Sequence, residues 1–144
     1  MSAQKDATEA TKKAQAATQK ILPEDTSEDF DLASNGFIGT IPDAKVVNEA
    51  GNTVWDMSRF DFIKDEAPDT VNPSLWRQAK LNAIHGLFKV TDGIYQVRNF
   101  DLSNITFIEG DTGYIVIDPL ISAEPAAAAL ALMREHRGDK PVTA

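Results

Sequence analysis

Residues 94–120 read IYQVRNFDLSNITFIEGDTGYIVIDPL, and this stretch decides the fold class. Ile94–Val97, Ile105–Ile108 and Tyr114–Ile117 are rich in β-branched and aromatic residues, and each is bounded by Asp, Asn, Gly or Pro. Such runs read as strands, because these side chains suit a pleated, half-buried surface. Gly110-Asp111-Thr112-Gly113 reads as a hairpin loop whose glycines take the positive φ of a tight reversal. Asp118-Pro119 ends the third strand, and an Ala/Leu-rich helix follows. Consecutive strands running into a helix, with aspartate at the strand tip, predict an α/β architecture, an α+β sandwich.

C-terminal to this stretch, Ser122 to Arg137 has the marks of a helix. Ser122 stands at the N-cap, Glu124 and Pro125 lie in the tolerant first turn, and Gly138 follows the end. Ala126–Met133 is apolar on nearly all sides, so one face is expected against a sheet and another against more protein. Lys140–Ala144 reads as the approach to a fourth strand, which carries the expectation of an incomplete sheet and a truncated chain. On the N-terminal side, Leu87–Val90 leads into the strands through Thr91-Asp92-Gly93. Before it, Asn72-Pro73 opens a helix with Asn as N-cap and Pro at the first helical position. Leu75, Trp76, Ala79 and Ala83 share one face of that helix, with Gly86 as the residue after its end.

Further upstream, Val46-Val47 and Thr53–Trp55 flank a five-residue loop, Asn48–Asn52, in the manner of a β-hairpin. Phe37–Ile41 reads as a short strand, and Ser58–Lys64 as a helical turn with Phe60 and Ile63 inward. Lys5–Leu22 is a helix candidate with Ala7, Ala10, Ala14, Ala17 and Ile21 on one stripe, ended by Pro23. Its small side chains bury little area, so it is expected to be an arm packed on a larger body. Thr26 caps a second short helix, with Asp29 three residues on and Asn35-Gly36 closing it. The chain thus divides into a helical arm and acidic turn (1–36), a hairpin and connector (37–71), and an α/β unit from 72 to 144.

The net charge is −8, and it is concentrated: residues 21–72 carry −9, against +2 for residues 1–20 and −1 for residues 73–144. A field of that sign repels nucleic acid and anionic membrane surfaces, so neither is expected as a partner. No apolar run approaches the roughly 20 residues needed to span a bilayer. The lysines near the start have no apolar stretch behind them, so no signal peptide is visible and the chain as written is expected in the cytoplasm. Cysteine is absent, which excludes disulfides, thiolate metal sites and a cysteine nucleophile. The acids of residues 24–31 lack the alternating ligand pattern of a calcium loop and read as a solvated turn. Gly110-x-x-Gly113 is not a phosphate-cradling loop. His85 and His136 are too far apart in sequence to show ligand spacing, and His85 reads as a terminal histidine at a helix end.

Residues 72–98, NPSLWRQAKLNAIHGLFKVTDGIYQVR, closely resemble the bacterial linear alkylsulfatases, the dodecyl-sulfate hydrolases of the metallo-β-lactamase superfamily. Phe100–Thr106, Gly110–Gly113 and Ile117–Leu120 continue the likeness, as do Lys5–Thr11 and the Trp55 hairpin, so it covers nearly the whole chain. The resemblance implies the N-terminal part of an αββα metallo-β-lactamase sandwich, preceded by a helical arm and a hairpin and cut before the zinc-binding strand. It further implies hydrolysis of alkyl sulfate esters to alcohol and sulfate at a two-zinc centre, in a homodimeric enzyme that some relatives export to the periplasm or medium. Zinc in such a centre lowers the pKa of bound water and withdraws charge from the ester.

The first ligands expected of that family form a His-x-His-x-Asp-His run, and no such run occurs here. No catalytic or metal-binding residue therefore carries over, and this chain by itself is expected to be inactive and to hold no zinc. Two positions carry over as structural candidates. Asp118 matches the aspartate ending the strand before the zinc-binding strand, where it helps hold the metal loop; on residues alone it is a strand-end cap. Asn104, with the Phe100–Ser103 loop, lies where such folds border the active-site cleft; on residues alone it is a turn former. Trp55 and Trp76 read as core aromatics rather than a ligand platform. A different class of function is a non-catalytic interaction module that associates with a full-length homologue through its open sheet edge.

Overall fold

A computed structural model describes residues 5–22 and 27–144. Among the described residues four α-helices and seven strands follow one another as α1 (Glu9–Ile21), α2 (Glu28–Ser34), β1 (Phe37–Gly39), β2 (Lys45–Val47), β3 (Thr53–Asp56), α3 (Pro73–Asn82), β4 (Gly86–Thr91), β5 (Ile94–Arg98), β6 (Ile105–Glu109), β7 (Tyr114–Ile117) and α4 (Ala123–Arg137), with short 3-10 turns at Pro42–Ala44 and Met57–Phe60. Strands β1, β4, β5, β6 and β7 form one sheet in that spatial order, with every neighbouring pair antiparallel. The three strands of residues 94–120 are all present, in the in-register meander that short hairpin connections dictate. Strands β2 and β3 make a separate hairpin around the loop at Asn48–Asn52. The Asn48 side chain closes that loop by accepting from the amides of Ala50 and Asn52.

One face of the sheet carries the core. Leu87, Tyr95, Val97, Ile105, Phe107 and Tyr114 cluster with Ala129, Leu132 and Met133 of α4, and Val46 and Met57 close the cluster from the hairpin side. Alternation along each strand sends the intervening residues to the other face. There Phe88 is shielded by the Phe37 ring, at 5.4 Å between centroids, and by the Arg98 guanidinium, at 4.3 Å from its ring. Ile115 and Ile117 on that face of β7 stay exposed. Helix α4 meets the sheet on one side and the hairpin on the other, as its all-round apolar surface predicts. Residues 141–144 run beside β7: Tyr114 N–H donates to the Pro141 carbonyl, Thr143 N–H to that of Tyr114, and Val116 N–H to that of Ala144.

Several local expectations change. Gly110 and Gly113 have no positive φ. Gly113 is needed for room instead, because a Cβ there would lie 2.5 Å from Thr143 Cγ2 and 2.7 Å from the Pro141 carbonyl oxygen. Helix α1 starts at Glu9 behind a Thr8 cap, so Ala7 precedes it and is half-buried, and the rest of the alanine stripe faces outward: Ala10, Ala14, Ala17 and Ile21 are exposed, while Thr11, Gln15, Thr18 and Leu22 are half-buried. Alanine gains little from burial, so the longer side chains of the opposite face decide how the arm docks on α3. In α3 the cap at Asn72 and Pro73 at the first helical position are observed, but Leu75 points to solvent. The helix ends at Ala83, and Gly86 is instead the first residue of β4, with φ +132°. Ser122 precedes α4 without a capping side-chain bond. The cap at Thr26, with Pro23, lies outside the described residues.

Candidate functional site

Two loops at one end of the sheet hold the candidate residues. Asn99–Asn104 joins β5 to β6, and Asp118–Ser122 joins β7 to α4. Asp118 is exposed and takes a positive φ of 55°, as does Leu120 at 70°, so this turn is tight and unusual for residues other than glycine. Its closure is marked by Leu120 N–H donating to the Asp118 carbonyl at 2.8 Å.

Asp101 binds the two loops together. Its carboxylate is buried, with one oxygen accepting from Ser103 N–H and the other from Ile121 N–H, each at 2.6 Å. A buried carboxylate is costly unless its oxygens are satisfied, and here two backbone donors do so. Sequence reasoning passed over Asp101. An aspartate two residues before a serine in a turn-rich loop was the available signal, since Asp side chains bond the backbone two residues on. Its partner at Ile121 is 20 residues away and has no local signature.

Asn104 lines a cleft of about 540 Å³. The C-terminal half of α3, the turn from Trp55 to Ile63, and the Asn99–Asn104 loop form its walls. Trp55 stands in the cleft with its indole N–H donating to the Asn99 carbonyl at 3.1 Å, and Phe60 lies beside it at 6.4 Å between ring centroids. Arg98 also borders the cleft, tethered to Gln96 and to the Ala33 carbonyl, and burial holds its guanidinium below the usual arginine value. Trp76 is outside the cleft; it packs on Phe62 and donates to the Asp65 carbonyl. Asp118 is not part of the cleft wall and joins it only through the Asp101 bridge.

The histidines come to neighbouring backbone positions. His85 Nδ1 is 2.9 Å from Thr40 Oγ1, and His136 Nε2 is 2.8 Å from where a Cβ on Gly39 would stand. Burial lowers the pKa of His85, partly opposed by the charge of Asp61. His85 follows the end of α3 and belongs to the approach to β4, so a hydrogen-bonded position replaces the helix-terminal one. Among the described residues no group of three His, Cys, Asp or Glu side chains could hold a metal ion. The described residues thus do not by themselves build a two-metal centre.

A profile described as the metallo-beta-lactamase superfamily matches residues 98–144. The linear primary-alkylsulfatase of a Pseudomonas species is 56% identical over 142 residues, which is 97% of this chain and 21% of that protein. The alkyl/aryl-sulfatase BDS1 of Saccharomyces cerevisiae is 48% identical over 139 residues, 96% of this chain and 22% of that one. The solved structure of the stereoselective inverting sec-alkylsulfatase Pisa1 from Pseudomonas matches with a TM-score of 0.88 and 47% identity, over 95% of this chain and 22% of its own. The chain thus spans about a fifth of the length of the relatives it matches, and within that span it has their fold.

Proposed function

We propose that this chain, which resembles the N-terminal part of the alkylsulfatases of the metallo-β-lactamase superfamily, supplies the first sheet and helix layers of an enzyme that hydrolyses alkyl sulfate esters. The observation that carries this reading is the joint likeness in sequence and fold, 56% identity to one alkylsulfatase and a TM-score of 0.88 to another. Metal use follows from the superfamily, and the two zinc ions and the homodimer are inferences from the resemblance. The described residues hold no group of three metal-ligating side chains, so in this reading the ligand set is completed by other parts of the enzyme. The role of this part is then to shape: Asp101 sets the Asn99–Asn104 loop against the Asp118 turn, Asn104 borders the cleft, and Asp118 helps hold the loop that carries the metal.

Sulfate release from dodecyl sulfate tests the proposal. These 144 residues with added zinc are expected to release none. Mixed with the Pseudomonas linear primary-alkylsulfatase lacking the portion this chain matches, they are expected to restore turnover. Release by the chain alone would overturn its assignment as a non-catalytic part. No turnover from a mixture that demonstrably associates would count against its structural role.

A second reading, a non-catalytic module that associates with a full-length homologue, is favoured by the exposed Ile115 and Ile117 on β7 and by Ile121 beyond it. Association without any gain in turnover would select it.

A further inference from the structure

We propose that Asn35-Gly36, where α2 hands over to β1, is a site of spontaneous covalent modification at which Asn35 loses its side-chain amide and the main chain is re-routed. This goes beyond the hydrolase reading and does not depend on it. Asn35-Gly36 is the one asparagine–glycine pair of the sequence; every other asparagine is followed by a residue that carries a β-carbon. Such a β-carbon crowds the approach of the following backbone nitrogen to the asparagine side chain. Glycine leaves that approach open and its own backbone free to turn.

The fold ties this position to glycine. Gly36 follows the C-cap of α2 with a φ of +75°, the left-handed setting that ends many helices. A Cβ there would run into the Lys89 carbonyl oxygen, while the Gly36 carbonyl accepts from Lys89 N–H at 2.7 Å. The residue that seats the start of β1 on β4 is thus the one that leaves Asn35 open to attack. Asn35 itself is exposed. Its ψ of 136° holds the Gly36 nitrogen away from the side-chain carbonyl carbon, so ring closure waits for this end of α2 to open. That end is weakly held. Helix α2 has seven residues, buries none of them, and has no side-chain bond at its N-cap. It closes on a long bond of 3.3 Å from Asn35 N–H to the Leu32 carbonyl. Short helices with little burial are the parts of a native fold that open most readily.

The chemistry needs only water. The Gly36 backbone nitrogen gives its proton to hydroxide and attacks Asn35 Cγ. As the new N–Cγ bond forms, the Cγ–NH2 bond breaks, and the amine leaves as ammonia with a proton from water. Water then opens the five-membered imide at either carbonyl. Breaking the new N–Cγ bond restores the ordinary main chain with aspartate at position 35. Breaking the original peptide bond leaves isoaspartate, with the main chain running through the former side chain and lengthened by its CH2. Either product places a carboxylate at the C-terminal end of α2, where the helix carbonyls disfavour negative charge. The lengthened product also displaces Gly36 from Lys89, beside the Phe37–Phe88 ring pair.

The test incubates the full 144-residue chain at mildly alkaline pH and follows replacement of –NH2 by –OH at each asparagine by peptide mass spectrometry, with isoaspartate separated by chromatography. Asn35 should convert about tenfold or more faster than any other asparagine of the folded chain. Its rate should rise in proportion to hydroxide, and further in urea, where opening is complete. In chain enriched in isoaspartate the Lys89 amide should lose hydrogen-exchange protection by about tenfold or more, while amides between β5 and β6 keep theirs. Freshly purified Asn35→Asp, which brings the charge without the added CH2, should keep the Lys89 protection. Asn35→Gln, whose attack would need a six-membered ring, should stay unmodified over the same period. Conversion of Asn35 only in urea, or no faster in the folded chain than at other asparagines, would overturn the proposal. So would a Lys89 amide equally protected after isoaspartate has formed, or equally exposed in Asn35→Asp.

Discussion

Asp101 is the buried charged side chain of the described residues, and its position explains why two loops far apart in sequence share one end of the sheet. Removing its carboxylate leaves two backbone donors without partners in a place water reaches poorly. Asp101→Ala should therefore cost about 2–4 kcal/mol, and Asp101→Asn, which keeps one accepting oxygen, about half as much. Urea denaturation of both variants checks the order; equal and small losses would mean that water replaces the carboxylate without penalty. His85 gives a second test at this scale. Burial holds its imidazole below the ordinary histidine value, so the unfolded chain takes up a proton before the folded one does. The stability tied to keeping it neutral is present above about pH 6.5 and is lost as pH falls through that value towards the lower folded one. Melting temperature should drop between about pH 7.5 and pH 5.5, and His85→Gln, which keeps a polar partner for Thr40, should flatten that drop. Identical slopes in parent and variant would remove His85 from the account.

Elements were legible where the signal is local. The meander from Ile94 to Ile117 was readable because alternating branched residues and turn formers sit within a few positions of one another. The Asn48–Asn52 hairpin and the Asn72-Pro73 helix start were readable for the same reason. What the residues did not reveal is set by contacts between distant segments, such as the β1–β4 pairing and the bond from Ile121 to Asp101, whereas the approach of Lys140–Ala144 as a further strand was readable and is seen beside β7. Gly113 shows the difference: its loop position suggested a need for positive φ, whereas the observed need is space for Thr143 and Pro141. Gly113→Ala should push that segment off β7 without disturbing β5 and β6. The amides of Tyr114, Val116 and Thr143 would then lose hydrogen-exchange protection by about tenfold or more, while those between β5 and β6 keep theirs. Uniform loss across the sheet would instead mean that residues 141–144 are integral to the whole fold.

Across the whole molecule, stability is unevenly placed. The core cluster draws on β2, the Met57 turn, the central strands and α4, and on nothing from α1 or α2. Helix α1 buries no residue fully and docks on α3, with Thr11, Gln15, Thr18 and, just past its end, Leu22 half-buried, and with Lys12 4.0 Å from Asp69 in an exposed pair. Exposed ion pairs contribute about 0–1 kcal/mol, and an isolated helix of 13 residues is marginal in water. The arm therefore depends on the body far more than the body depends on the arm. This asymmetry was only half readable: the length and composition of the stretch suggested a docked helix, but its alanine stripe suggested the wrong docking face. The likeness to longer relatives frames the consequence, since an outward stripe of Ala10, Ala14, Ala17 and Ile21 is a surface the body does not use. We propose that the arm is separable: a chain beginning at Ser27 should fold with the same sheet. Loss of the docked face amounts to about 1 kcal/mol, so the melting temperature should fall by only about 3–4 °C, with near-ultraviolet circular dichroism from the core aromatics unchanged. A fall well beyond that, or loss of the near-ultraviolet signal, would show that α1 holds α3 in place and that α3 in turn holds the sheet.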